Sequence, residues 1–94
     1  MKITKEQIAE WKKKHGEIFE ISVEGKSCVL HKPTRKDLSF ASAVSDPVKM
    51  SEAMLNALWI VGDEELRTDD SLFMAVIQKM QVVLEVKEAE IKKL

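Results

Sequence analysis

The fold is decided by residues 18–32, which read IFEISVEGKSCVLHK. Apolar and polar side chains alternate through Phe19, Ile21 and Val23, a pattern typical of a strand with one buried face. Gly25 predicts a tight turn, and the residues after it read as a return strand. The stretch therefore predicts an antiparallel β-hairpin.

The position of the turn leaves two strand registers open. A loop at 25–26 places Val23 opposite Cys28, whereas a loop at 24–25 places Ile21 opposite Cys28. Both registers keep the same residues on the buried face, because side chains alternate between the faces of a strand. That face consists of Phe19, Ile21, Val23, Cys28 and Leu30.

Capping patterns on both sides of the hairpin predict helices. Thr4 with Gln7 is a capping box, which predicts a helix over about 5–15. Thr34 with Asp37 starts a second helix. Further signals place a helix over 47–61, begun by Asp46-Pro47 and stopped by Gly62, an acidic loop over 63–70, and a longest helix over 71–93, capped by Asp69 or Asp70.

These elements predict an α+β fold in one domain spanning 1–94. Residues 1–33 form the N-terminal helix and the two-stranded hairpin, and 34–94 form three helices, the last of which can project at its charged C-terminal end. A lone hairpin is unstable in water, so its apolar face must pack on the helices. We expect the helical side of this core to consist of Leu38, Leu58, Phe73 and Ile77.

The composition favours a globular protein without a strongly charged partner. Hydrophobic residues make up 45% and charged residues 33% of the 94 residues, and the net charge is −1. Residues 1–36 carry nine basic and five acidic side chains, while 37–94 carry six basic and eleven acidic ones. We expect neither nucleic-acid binding nor a membrane span. With one cysteine and no apolar leader, the chain is expected in the cytoplasm.

Candidate catalytic and metal-binding residues are few. Cys28 lies in the apolar strand, which is typical of a buried, inert thiol. His15 ends the first helix, and His31 has no metal-ligand spacing around it. We therefore expect no enzyme activity, no metal and no cofactor.

Surplus apolar surface on helices 47–61 and 71–93 instead predicts the binding of a helical protein segment. A two-stranded hairpin and two short helices can cover only part of that surface. Self-association through the last helix is the alternative way to cover it. The candidate partner-binding residues are Met50, Met54, Leu58, Trp59, Phe73, Ile77, Met80 and Leu84.

The order of these elements resembles that of a known family. The matching segments are IAEWKKKHG (8–16), IFEI (18–21), KPTR (32–35), WIVGDEE (59–65) and TDD (68–70). They are similar to small tail assembly chaperones of long-tailed bacteriophages and prophages. The resemblance implies a protein without cofactor or catalytic residue that coats the tape measure protein in the bacterial host. The alternative hypothesis is a homo-oligomeric interaction or regulatory domain of unrelated role.

Overall fold

A computed structural model describes residues 3–83 and 90–94 of the chain. It confirms the α+β class, with a helix and an antiparallel hairpin followed by further helices and one more short strand. The elements are α1 (Lys5–His15), β1 (Ile18–Val23), β2 (Lys26–His31), α2 (Arg35–Ser42), α3 (Pro47–Leu58), β3 (Trp59–Gly62), α4 (Glu65–Thr68) and α5 (Asp70–Val83).

Predicted capping residues begin the helices where the sequence placed them. At α2, the Asp37 N–H donates to Thr34 Oγ1 over 3.2 Å, and the Thr34 N–H donates to the Asp37 carboxylate over 3.0 Å. Thr4 forms the same reciprocal box at α1, and Asp46 accepts two backbone N–H groups at α3. Asp69 caps α5 by accepting the Leu72 N–H. Each cap satisfies donors that a helix start leaves free.

The hairpin adopts the register with its loop at 24–25. Ile21 lies opposite Cys28, and Phe19 lies opposite Leu30. Glu24 and Gly25 both have positive φ, +49° and +80°, as the tight turns that match the twist of a hairpin require. The predicted hairpin is confirmed, and the structure settles the register that the sequence left open.

A third strand replaces the predicted end of helix 47–61. The helix stops at Leu58, and β3 pairs antiparallel with β2, with a bulge between Val29 and Leu30. The predicted role of Gly62 as a helix stop is therefore wrong. Gly62 lies opposite Cys28, where a Cβ atom would come within 2.5 Å of the Cys28 Cβ. The strand thus brings two backbones together at a spacing that only glycine permits.

The core lies between one face of the sheet and the helices α3, α4 and α5. The hairpin contributes buried Ile21, Cys28 and Leu30, with Phe19 and Val23 half-buried beside them, as predicted. From the predicted helical side, Leu58 and Phe73 are buried and Ile77 packs against them. The other core residues are Ala41, Met54, Leu55, Leu66, Val76 and Met80.

Two further predictions for residues 34–94 are wrong, and a third is correct for part of its range. Leu38 is exposed because Ala41 is the residue that α2 turns toward the core. The expected loop over 63–70 instead contains the helix α4. Its Leu66 is buried and therefore anchors the acidic segment in the core. The predicted helix over 71–93 is confirmed over 71–83, whereas 90–94 are exposed and not helical. Residues 84–89 of that prediction lie outside the described residues.

Candidate partner-binding surface

Most of the predicted partner-binding residues belong to the core of the chain itself. Trp59 and Ile77 are half-buried and pack against this core. Met50 is exposed, and Leu84 lies outside the described residues. The prediction that the partner-binding residues are exposed is wrong for four of them, because the hairpin and α4 cover more of α3 and α5 than periodicity indicates. These buried members are Met54, Leu58, Phe73 and Met80.

The apolar stripe of α3 extends beyond the core at its N-terminal end. Met50 lies one turn before buried Met54, and Val48 lies two turns before buried Leu55. The C-terminal half of the stripe therefore packs on the sheet, whereas the same stripe continues into solvent in the first turn. Sequence periodicity could not separate the two halves, since both carry the same apolar signal.

Helix α2, which contacts α3, exposes two more apolar side chains. Leu38 and Phe40 flank Ala41, which is the buried residue of α2. The two helices contact each other and are joined by the short segment 43–46. We call the set Leu38, Phe40, Val48 and Met50 the α2–α3 surface; these side chains are 46%, 63%, 56% and 39% exposed, respectively.

The outer side of α5 exposes apolar residues more sparsely. Met74 and Val82 are 62% and 65% exposed, but they are eight residues apart. Gln78, midway between them, is exposed and polar. Met74 therefore stands apart on a polar helix side and provides a natural control for the α2–α3 surface.

The charges near the α2–α3 surface are balanced in sign. Arg35 and Lys36 lie in the first turn of α2, and Lys49 lies in the first turn of α3. Asp37 and Asp46 accept backbone N–H groups as helix caps, and Glu52 is exposed on α3. Three basic and three acidic side chains therefore give this surface no electrostatic preference for an acidic over a basic flank on a bound segment.

Trp59 is held by an arginine that the sequence analysis did not single out. The Arg67 guanidinium carbon lies 4.0 Å from the centre of the Trp59 ring, within cation–π range. Arg67 also donates to Asn56 Oδ1 over 3.1 Å and pairs with Glu64. This cluster fixes α4 against the end of α3, so Trp59 has a structural role in the folded chain.

The side chains that could act as a nucleophile or as metal ligands are Cys28, His15 and His31, and each is held by contacts within the fold. Burial raises the pKa of the Cys28 thiol to about 11, which leaves very little of the nucleophilic thiolate near neutral pH. Both ring nitrogens of His31 lie 2.9 Å from backbone carbonyl oxygens, and the ring stacks on His15. Among the described residues, no group of three or more metal-ligating side chains comes together.

Within residues 3–83 and 90–94, no helix is long and apolar enough to cross a membrane. Comparison with protein-family models, with curated proteins and with solved structures found no match for this chain.

Proposed function

We propose that this chain is a non-catalytic tail assembly chaperone of a bacteriophage or prophage, acting in the bacterial cytoplasm by binding an apolar helical segment of the tape measure protein. The observation that carries the proposal is the α2–α3 surface, where four large apolar side chains from two neighbouring helices are exposed. The sequence resemblance supplies the identity of the client.

The apolar character of the α2–α3 surface suits a helical client. Two packed helices present a ridge on which an amphipathic helix can lay residues spaced three and four apart. Full burial of one large apolar side chain contributes roughly 1.5–3 kcal/mol, and these four are already partly covered. Association and ordering costs reduce the sum further. The expected outcome is reversible binding, which suits a chaperone that must leave when tube subunits polymerise.

The predicted residues that lie in the core take an indirect part in this proposal. Met54 and Leu58 hold the C-terminal half of α3 on the sheet, and this fixes the direction of its exposed first turn. Of the predicted residues, Met50 is the one that contacts the client directly. Leu38, Phe40 and Val48 join it.

The first test is the position of the gene. A chaperone gene of this kind lies between the gene of the major tail protein and the very long gene of the tape measure protein. A different neighbourhood contradicts the proposed client, and the neighbouring long reading frame supplies the client for the binding test.

The second test is co-expression of the chain with that tape measure protein, followed by affinity co-purification. Phe40→Glu and Met50→Glu should each reduce recovery of the client at least tenfold, because each places a charge on the α2–α3 surface. Met74→Glu is the matched control, since Met74 is as exposed as Phe40 but lies on α5. Far-UV circular dichroism and thermal melting establish that all three variants remain folded.

The outcomes separate the proposal from its alternative. Unchanged recovery with both Phe40→Glu and Met50→Glu refutes the surface, and loss with Met74→Glu alone moves the site to α5. Light scattering coupled to size exclusion reports oligomeric state for the same variants. If the chain binds no tape measure protein and these substitutions only break self-association, the homo-oligomeric interaction domain is correct.

A further inference from the structure

Two histidines stack where three elements of the fold meet. His15 belongs to the last turn of α1, and His31 ends β2. Their ring centroids are 4.8 Å apart and their planes differ by 8°. The stack borders a cavity of about 290 Å³ between α1 and β3, which is lined by Glu10, Trp11, Lys14, His15, His31, Trp59 and Ile60.

His31 lies between two hydrogen-bond acceptors. Its Nδ1 is 2.9 Å from the Lys32 carbonyl oxygen, and its Nε2 is 2.9 Å from the Ala57 carbonyl oxygen. A neutral imidazole carries one N–H and can donate to only one of them, whereas an imidazolium donates to both. Ala57 is in the last turn of α3, so His31 connects the end of β2 to the C-terminal end of α3.

His15 lies in surroundings that oppose its protonation. Desolvation lowers the pKa of His15, and the neighbouring His31 and Lys14 lower it further. The side of the cavity formed by β3 offers Trp59 and Ile60, which carry no charge, and α1 offers Glu10 besides Lys14. On the strand side, Glu17 contacts Lys32 through the backbone.

From this geometry we infer that the His15–His31 stack is a pH-sensitive latch, which holds the C-terminal end of α1 on the sheet while His15 is neutral and releases α1 when His15 is protonated. The positive charge of His15 then lies against the His31 ring and beside Lys14 on the same helix. Glu10 is the one carboxylate among the residues that line the cavity.

The sign of the pH dependence follows from the lowered pKa of His15. The folded state binds the His15 proton less readily than the unfolded state does, so the stabilisation is complete above the ordinary value of 6.5. It is lost as the pH falls through the lower value of the folded chain. The docking of α1 should therefore weaken on acidification from neutral pH and recover on neutralisation.

Trp11 provides the readout, because it lines the same cavity. In a Trp59→Phe background Trp11 is the one remaining tryptophan of the chain. Its emission should shift to longer wavelength reversibly between pH 6.5 and 4.5, while hydrogen exchange in the hairpin and α5 stays slow. His15→Phe keeps a planar ring without a titratable group, and it should abolish the shift or move it at least one pH unit lower.

Ring-nitrogen NMR of the unsubstituted chain gives a second measurement, which is needed if His15→Phe fails to fold. The Trp11 shift should follow protonation of His15 in that titration. The inference is overturned if the Trp11 emission is constant over this range, if His15→Phe titrates like its parent, or if the hairpin opens together with α1. None of these outcomes depends on client binding.

Discussion

Replacing Gly62 by alanine tests the third strand, the element that the sequence did not predict. In the structure a Cβ atom at this position would lie 2.5 Å from the Cys28 Cβ, 2.7 Å from the Cys28 Cα and 2.7 Å from Trp59 Cζ2. The Cys28 Cα is part of the backbone of the buried central strand and the Cys28 Cβ is bonded to it, so neither atom can rotate away. Gly62→Ala must therefore push β3 from β2 or displace the Trp59 ring from Arg67.

The expected cost is that of overpacking a filled site. Inserting a methylene into a well-packed core costs typically about 1–3 kcal/mol. In urea this lowers the unfolding midpoint by roughly 1 M when the m-value is about 1–2 kcal/mol/M. In heat it lowers Tm by roughly 4–8 °C per kcal/mol for a domain of this size. At a helix stop in the left-handed region the same substitution would also destabilise the chain, so the contact between Gly62 and Cys28 has to be tested directly.

A double-mutant cycle with Cys28→Gly identifies the contact. Removing the Cys28 Cβ eliminates the shortest of the three approaches, so Gly62→Ala should cost less in that background, by roughly 0.5–3 kcal/mol. Urea unfolding followed by circular dichroism supplies all four free energies. An unchanged or increased stability of Gly62→Ala, or additive effects in the cycle, would show that β3 does not lie against Cys28 as described.

Two further predictions concern burial. Leu58→Ala should lower the free energy of unfolding by about 2–5 kcal/mol because Leu58 is fully buried. Met74→Ala, on the exposed side of α5, should change it by less than about 0.5 kcal/mol. Equal effects of the two substitutions in urea unfolding would contradict the assignment of Leu58 to the core. Native Cys28 should react with iodoacetamide at pH 8 far more slowly than the unfolded chain, because burial raises its pKa to about 11. The raised pKa stabilises the fold fully below the ordinary thiol pKa of 9.0, and this stabilisation decreases as the pH rises toward 11. Cys28→Ala should reduce this loss of stability at alkaline pH. A loss of equal size in the variant would contradict the prediction.

The sequence determined the local elements whose causes are local. Thr4, Thr34 and Asp46 begin helices because each side-chain oxygen accepts an N–H only two or three residues away. The apolar face of the hairpin followed from alternation, which is a property of any strand. One ambiguity persisted at the turn, since both registers bury the same residues. The positive φ of Glu24 resolved it in the structure.

Only the tertiary structure decided which apolar residues are covered. Met50 and Met54 occupy the same stripe of α3, and no sequence pattern distinguishes the exposed one from the buried one. The groups that cover the C-terminal half of α3 come from β2 and α5, which are distant from it in sequence. The change from helix to strand at Trp59 has the same origin, because the segment gains a ladder with β2 and a ring contact with Arg67 that helical propensity does not include. Periodicity records that a side chain is apolar, whereas burial depends on what the rest of the chain places against it.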